Sequence, residues 1–267
     1  MSADRAIVCA PLVPVRAEPS HRAERVTDWV LGEAVERIER KDDWVRTRGP
    51  DGYVGWVPAG PFEGEPPMPP EEWERAATLF SLGTPVAHGS LDRIPWGGRV
   101  VPTQGGVILP DGQPAEPELA TRLIRPPDPE SVNAFVRVDR VRTAALDWIG
   151  VPYVWGGRTE LGVDCSGFVQ AVFAAAGSRL PRDSGDQAEV GPARPEGPAE
   201  AGDLLFFAPE GAGITHVALS LGGDVMIHAA ASVGRVAIGD LAGPAAVERR
   251  LAGSLVRRPS PLADAGS

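Results

Sequence analysis

Two proline-rich stretches interrupt this chain and limit the size of any one folding unit. The first is Glu-Pro-Pro-Met-Pro-Pro at 65–70, and the second is Arg-Pro-Pro-Asp-Pro at 125–129. Such runs are stiff and extended, and they lack backbone donors for helices or sheet interiors. They predict the following division of the 267 residues: a domain over 1–62, a linker over 63–74, a domain over 75–126 and a domain over 127–267.

The first domain shows short strand-like runs separated by tight turns. Asp51-Gly52 is a strong turn signal between the runs at 44–47 and 53–57. Short strands at close spacing predict a small barrel. The second domain repeats this style, with glycine pairs at 97–98 and 105–106, and we expect a second small barrel there.

The third domain has a different pattern. Asp139 is expected to cap a helix that runs to Ile149 and ends at Gly150. A second helix is expected to begin at Cys165 and to end at Gly177. The predicted strands follow at 204–208, 216–221, 225–230 and 235–238. Helices first and strands afterwards indicate an α+β fold.

Cys165 is the candidate nucleophile. It follows Asp164, a good helix cap, so its thiol is expected in the first helical turn. The helix dipole and free amides there favour an anion, so we expect a thiol pKa below the usual value of about 8.5. The alternative is a buried structural cysteine. Cys9 is expected in the core of the first strand, and two cysteines do not indicate a disulfide scaffold.

Two histidines lie in consecutive predicted strands, His216 and His228, with Gly222-Gly223 midway between them. A hairpin centred on residue 222 would place the two imidazoles directly opposite each other. One could act as the base for Cys165 while the other orients it. The alternatives are two structural histidines or a metal site shared with Cys165. Zinc sites usually show tight local ligand pairs, and this sequence has none, so we expect no metal and no cofactor.

Tyr153, twelve residues before Cys165, is the candidate oxyanion donor. Its phenol could donate to a developing oxyanion alongside the backbone N–H of Cys165. On spacing alone, a packed aromatic ring is the simpler interpretation.

Charge and hydropathy exclude some partners. The net charge is −10 and no basic patch stands out, so we expect no nucleic acid partner. No apolar stretch is long enough to span a bilayer, and the first apolar run, 6–15, contains Pro11 and Pro14, unlike a signal peptide. We expect a cytoplasmic protein with no membrane partner, or a secreted one if a leader precedes this sequence.

Four ordered motifs in the third domain resemble the NlpC/P60 cysteine peptidases. They are Pro-Tyr-Val-Trp-Gly-Gly at 152–157, Asp-Cys-Ser-Gly-Phe at 164–168, Gly-Asp-Leu-Leu-Phe-Phe at 202–207, and the pair His-Val-Ala at 216–218 and Ile-His-Ala at 227–229. The resemblance implies a papain-like α+β fold, with Cys165 as nucleophile, His216 as base and His228 as the orienting member. It also implies that Tyr153 helps to hold the oxyanion and that Ser166 lines the substrate cleft.

The region around Asp51–Trp56 resembles bacterial SH3-like domains, so the two small barrels are expected to be SH3-like. Together with the third domain they resemble the γ-D-glutamyl-L-diamino acid endopeptidases that recycle murein peptides and need a free L-alanine N-terminus. This resemblance implies that Asp183 binds the α-ammonium of L-Ala-γ-D-Glu-diamino acid peptides, with Ser184 beside it. Tyr53 and Glu24 are weaker candidates for the same pocket, and Glu18 is an alternative to Glu24.

Other functions remain open from the sequence. One is a wall-binding module, and another is a wall-remodelling hydrolase that acts on intact peptidoglycan. A third is an acyltransferase or amidase on the same scaffold.

Overall fold

The computed structural model describes residues 4–62, 67–87, 91–128, 134–191, 199–209, 211–241 and 253–258, with the backbone alone at 134–136 and 253–258. The chain divides into two compact units, 1–126 and 127–267. The division falls within the second proline-rich stretch.

The N-terminal unit begins with a six-stranded antiparallel sheet in the order β1-β4-β5-β6-β2-β3. Its strands are β1 Arg5–Ile7, β2 Leu12–Arg16, β3 Arg25–Val30, β4 Ala34–Lys41, β5 Trp44–Arg48 and β6 Val54–Pro58, followed by a 3₁₀ turn at Gly60–Phe62. The fully buried Trp29 lies in the core, and its indole Nε1 donates to Thr47 Oγ1 at 2.8 Å. The tight turn predicted at Asp51-Gly52 connects β5 to β6, and Gly52 has the positive φ of 84° that such turns favour.

A second sheet of seven short strands completes this unit, in the order β13-β7-β10-β11-β12-β8-β9. Its elements are α1 Pro70–Ala76, β7 Leu79–Ser81, β8 Thr84–Ala87, β9 Arg93–Ile94, β10 Arg99–Pro102, β11 Val107–Ile108, β12 Pro114–Pro117, a 3₁₀ turn at Ala120–Arg122, and β13 Leu123–Ile124. Leu31 from the first part packs into the core of the second.

The stretch interpreted as a linker is partly helical. Residues 63–66 lie outside the described residues, but α1 begins at Pro70 and buries Trp73 fully, with its indole donating to Gly32 O at 2.9 Å. Proline suits the first position of a helix, and Glu71 and Glu72 in the first turn complement its dipole. The proline-rich composition led to the prediction of a linker, although a helix can begin at a proline.

The C-terminal unit combines helices with a five-stranded sheet in the order β19-β18-β17-β16-β20. Its elements are α2 Ala134–Leu146, β14 Arg158–Thr159, β15 Gly162–Val163, α3 Cys165–Ala175, α4 Ser184–Gln187, β16 Leu204–Pro209, β17 His216–Gly222, β18 Val225–Ala230, β19 Arg235–Asp240 and β20 Gly253–Arg258. Helix α3 packs against β17 and β18. The predicted α+β class is therefore confirmed.

Helix α2 differs from its prediction at both ends. It begins at Ala134 and ends at Leu146, so Asp139 is an interior residue and not its cap. The Asp139 carboxylate is on the exposed side of the helix, where it pairs with Arg142 at 3.4 Å and leaves the backbone ladder intact. Ile149, expected on the buried face, is 51% exposed because the chain has already left the helix.

Among the helices of the described residues, none combines the length and the apolar character needed to cross a membrane.

Candidate active site

The thiol of Cys165 lies at the start of α3, as predicted. Asp164 has an extended backbone (φ −97°, ψ −178°), and its carboxylate Oδ1 accepts a hydrogen bond from Gly167 N at 2.7 Å. This is the capping geometry of an aspartate at a helix N-terminus. Cys165 is 8% exposed, so the sulfur is nearly enclosed but not sealed off.

His216 and His228 form a hydrogen-bonded pair, with 2.9 Å between His216 Nε2 and His228 Nδ1. Both rings are buried, and their centroids are 5.1 Å apart. The sequence therefore identified the pair correctly.

The predicted register of this hairpin was wrong. Leu219 pairs with Ile227, and Ser220 with Met226, so the histidines are diagonal neighbours and do not face each other directly. A bulge between Ser220 and Gly222, with positive φ at Gly222, shifts the turn by one residue. Each residue of β17 before the bulge therefore pairs with a residue of β18 two positions beyond the predicted one. Because side chains alternate with a period of two, both imidazoles stay on the same face of the sheet and meet as diagonal neighbours.

The thiol lies against the start of β17. The backbone of Val217, the residue after His216, lies within hydrogen-bonding reach of the Cys165 sulfur. Nε2 of His216 is engaged with His228, so Nδ1 is the ring nitrogen left for another partner. A His216 that accepts a proton at Nδ1 carries its own hydrogen on Nε2 and donates it to His228 Nδ1, which fixes the tautomers of both rings.

Burial keeps the thiol and the imidazoles neutral. Desolvation raises the pKa of Cys165 to about 11, and the neighbouring Asp164 carboxylate adds to the increase. Desolvation lowers the pKa of His216 to about 3, with a further contribution from His228, whose own pKa falls to about 4. The expected depression of the thiol pKa is therefore wrong for the enclosed site, because desolvation and the Asp164 carboxylate outweigh the backbone hydrogen bonds and the Arg182 charge, which lower the pKa. At neutral pH the site therefore holds a protonated thiol and two neutral imidazoles.

Asp164 also has a partner that the sequence reasoning missed, the guanidinium of Arg182. Arg182 Nη1 and Nη2 donate to Asp164 Oδ1 and Oδ2 at 3.1 and 2.6 Å, and Nη1 donates to Ser166 Oγ at 2.8 Å. Arg182 is 2% exposed and Asp164 is 6% exposed. Arg182 stands in a polar stretch, with Arg179 before it and Asp183 and Ser184 after it, so no local pattern marked it as buried.

Tyr153 lies beside the same cluster. Its backbone N–H donates to Gly234 O at 2.9 Å, and its backbone bridges to Val163, just before Asp164. Burial, together with the nearby charges of Cys165 and Asp164, raises the pKa of the phenol. The hydroxyl therefore keeps its proton and can donate, as an oxyanion donor must.

Comparison with known proteins agrees with this geometry. Residues 150–253 match the model of the NlpC/P60 family, and residues 15–60 match that of the bacterial dipeptidyl-peptidase Sh3 domain. The chain belongs to the NlpC/P60 family of cysteine peptidases.

Two curated relatives of this NlpC/P60 protein are γ-D-glutamyl-L-lysine dipeptidyl-peptidases. The one from Bacillus subtilis (strain 168) is 46% identical over 111 residues, which is 40% of this chain and 37% of the relative. The one from Bacillus cereus (strain ATCC 10987 / NRS 248) is 30% identical over 232 residues, which is 76% of this chain and 66% of the relative. The matched stretches thus span less than two thirds of these relatives' own lengths.

A solved structure matches this chain over nearly its whole length. An NlpC/P60 family protein from Bacillus cereus ATCC 10987 superimposes with a TM-score of 0.77 at 20% identity, covering 96% of this chain and 99% of that one. This match confirms the fold, in which an NlpC/P60 domain follows SH3-like sheets.

Within the NlpC/P60 domain, three glycines allow close packing within the Tyr153 loop and between that loop and α3. A Cβ on Gly167 would lie 2.1 Å from Gly157 O, one on Gly157 would lie 2.3 Å from Gly162 O, and one on Gly162 would lie 2.4 Å from the Val154 side chain. Real side chains do not approach so closely, so these contacts require glycine.

The predicted substrate-binding residues of the NlpC/P60 domain fall in two environments. Ser166 is buried, and its hydroxyl hydrogen-bonds Asp164 Oδ1 at 3.3 Å as well as Arg182. Asp183 is exposed and Ser184 is half-buried, at the start of α4. Gln187 of α4, fully buried, donates from Nε2 to Ser166 O at 3.1 Å and so ties α4 to the start of α3.

The remaining candidates lie in the N-terminal unit. Glu24 and Glu18 are exposed, and the half-buried Tyr53 packs on the core of the first sheet. Their part in a substrate pocket stays a prediction. The half-buried Cys9 follows β1, and its thiol approaches Ile7 O and Pro110 O at 3.7 and 3.6 Å.

Within the part of the chain that the structure describes, no three or more His, Cys, Asp or Glu side chains are grouped so as to hold a metal ion.

Proposed function

We propose that this protein is a cysteine peptidase that hydrolyses the γ-D-glutamyl–diamino acid bond of peptidoglycan stem peptides. The observation that carries the proposal is the buried His216–His228 pair, joined at 2.9 Å, in the strands against which the Cys165 helix packs. A nucleophile, a base and a group that orients the base are the parts that acyl transfer requires.

The reaction follows from this arrangement. Cys165 Sγ attacks the γ-D-glutamyl carbonyl while His216 Nδ1 takes the thiol proton. His228 Nδ1 stabilises the resulting imidazolium by accepting the hydrogen bond from His216 Nε2–H. The backbone N–H of Cys165 and the protonated Tyr153 hydroxyl donate to the oxyanion. His216 then protonates the departing amine of the diamino acid, and water hydrolyses the thioester to release the peptide and restore the thiol.

The finer proposal is that the substrate is a free stem peptide with an unblocked L-alanine, as in murein recycling in the cytoplasm. A dipeptidyl-peptidase must recognise the amino terminus of its substrate, and that is the activity for which both Bacillus relatives are named. Asp183 supports this, because it offers an exposed carboxylate beside Arg182, which is bonded to the residue preceding Cys165. A carboxylate in that place is a suitable partner for an ammonium group.

The test compares three substrates: L-Ala-γ-D-Glu-L-Lys, the same peptide N-acetylated, and intact sacculi, with products identified by mass spectrometry. We expect release of L-Ala-γ-D-Glu from the free peptide, and a much slower reaction with the other two. Cys165→Ala should abolish cleavage, whereas Cys9→Ala, the matched control at the other cysteine, should retain it.

The alternatives give different outcomes. Cleavage of sacculi in preference to free peptide would indicate a wall-remodelling hydrolase and overturn the recycling proposal. Binding to sacculi that Cys165→Ala does not alter, without any hydrolysis, would indicate a wall-binding module. Full activity of Cys165→Ala would overturn the peptidase proposal itself.

A further inference from the structure

The Arg182 side chain hydrogen-bonds the residues on either side of Cys165 in the sequence. Its guanidinium donates to both carboxylate oxygens of Asp164 and to Ser166 Oγ. Its Nη2 also approaches Gly157 O, at 3.5 Å, in the loop that carries Tyr153. One side chain thus touches the residue before Cys165, the residue after it and the oxyanion loop.

Asp164 needs such a partner. Its carboxylate already accepts hydrogen bonds from Gly167 N at 2.7 Å and Gly156 N at 2.9 Å, so it ties the helix start to the oxyanion loop. A carboxylate with a side-chain exposure of 8% is costly unless it is paired, and Arg182 supplies the bidentate pairing that fits its geometry.

We propose that Arg182 is a positioning residue for catalysis: it holds Asp164, Ser166 and the Gly157 carbonyl in one cluster and offsets the negative charge that Asp164 places beside the Cys165 thiol. The role rests on the proposed peptidase function of this site, but it can be measured on the thiol itself.

The electrostatics give the expected direction. Asp164 raises the pKa of the Cys165 thiol, and Arg182 lowers it. Three charged or titratable groups interact with the thiol: Asp164 before α3, Tyr153 before β14 and Arg182 before α4. His216 and His228 lie on β17 and β18, the strands against which α3 packs. Removing the Arg182 charge should therefore raise the thiol pKa, and removing the Asp164 charge should lower it.

The experiment measures the rate of iodoacetamide alkylation at Cys165 as a function of pH, in a Cys9→Ala background so that a single thiol reacts. Arg182→Met should shift the midpoint upward by about one pH unit and slow alkylation about tenfold below the midpoint. Asp164→Asn should shift it downward. Arg182→Lys keeps the charge without the planar fork, so its midpoint should stay near that of the parent while kcat for the tripeptide falls about tenfold.

The double variant and a surface control complete the design. Asp164→Asn combined with Arg182→Met should return the midpoint toward the parent value, because both charges are gone. Arg142→Lys, at the exposed pair with Asp139 in the same unit, should change neither the midpoint nor kcat. Shifts of the same sign in both single variants, or an unchanged midpoint in Arg182→Met, would overturn the proposal.

If Arg182→Met does not fold, Arg182→Lys and Asp164→Asn still decide the question. A shifted alkylation midpoint in a protein that cleaves no peptide would support the role of Arg182 and count against the proposed peptidase function, so the two failures are distinguishable.

Discussion

The C-terminal unit contains two helix starts preceded by aspartate, and they differ in what the carboxylate does. At α3, Asp164 is buried and accepts hydrogen bonds from Gly167 N, Gly156 N and Arg182. At α4, Asp183 is exposed, and its side chain makes no capping hydrogen bond. The same residue type at the same helical position thus organises the interior in one case and faces solvent in the other. Burial, more than helix position, decides the role of a capping carboxylate.

The largest expected difference between the two starts is in stability. Asp164→Ala leaves Arg182 buried without its counter-ion and removes the cap, so we expect a loss of about 3–5 kcal/mol in the free energy of unfolding. Asp183→Ala should change it by no more than about 0.5 kcal/mol. Urea unfolding followed by circular dichroism checks both values, and comparable losses would show that the two carboxylates are equivalent.

The buried histidine pair predicts that the stability of the protein depends on pH. Burial lowers the pKa of His216 to about 3 and that of His228 to about 4, below the ordinary value of 6.5. The unfolded chain therefore binds more protons than the folded one between these values, so this stability is present above pH 6.5 and is lost as the pH falls toward the folded pKa values. We expect a loss on the order of a few kcal/mol.

Urea unfolding at neutral and acidic pH measures this dependence. The double variant His216→Asn and His228→Asn removes both imidazoles, so its stability should vary less with pH than that of the parent. An equally steep dependence in the double variant would assign the effect to other groups.

Tyr153 tests whether the interior cluster at α3 acts on the reaction as well as on the fold. Tyr153→Phe removes one oxyanion donor while keeping the ring, so kcat for L-Ala-γ-D-Glu-L-Lys should fall about 100-fold with little change in KM. Its free energy of unfolding should stay within about 0.5 kcal/mol of the parent. An unchanged kcat would show that the Tyr153 hydroxyl is not an oxyanion donor and that the ring serves only in packing.

The smallest expected effect belongs to the exposed start at α4. Asp183→Asn should raise KM for the free tripeptide about tenfold, because a neutral amide binds an ammonium group less tightly than a carboxylate does. The N-acetylated peptide should show no such sensitivity. Asp186→Asn is the matched control, since Asp186 is a second exposed carboxylate of the same helix. An equal rise of KM in the two variants would show that the overall negative charge of this region matters, and not a specific contact of Asp183 with the ammonium group.

The sequence predicted the parts of the site whose chemistry is local. A cysteine after a capping aspartate and two histidines on adjacent strands can be found from spacing alone. The structure shows the cap and the histidine pair, and it packs the cysteine helix against the two histidine strands. The register of the histidine hairpin could not be found this way, because a bulge at Ser220/Gly222 depends on how the turn relaxes in three dimensions. Two positive-φ glycines in the turn made several registers compatible with the same sequence.

The partnership of Arg182 with Asp164 and the direction of the Cys165 pKa were the least predictable features. The pairing joins residues 18 positions apart in sequence, across the whole of α3. Desolvation of the thiol depends on how closely β17 covers the helix start, and no local pattern records that. The start of α2 was missed for a different reason: Asp139 is a good cap by residue type, but the helix had already formed before it.

The glycine contacts between the Tyr153 loop and α3 imply that a substitution outside the set of polar site residues can displace that loop. At Gly167 the space for even one methyl group is already taken by the Gly157 carbonyl. The methyl group of an alanine there would push the Gly157 carbonyl, and with it the loop that carries Tyr153, away from α3. The chemical groups of Cys165, Tyr153 and the histidines would be unchanged. The packing around Cys165 thus requires that position 167 carry no side chain.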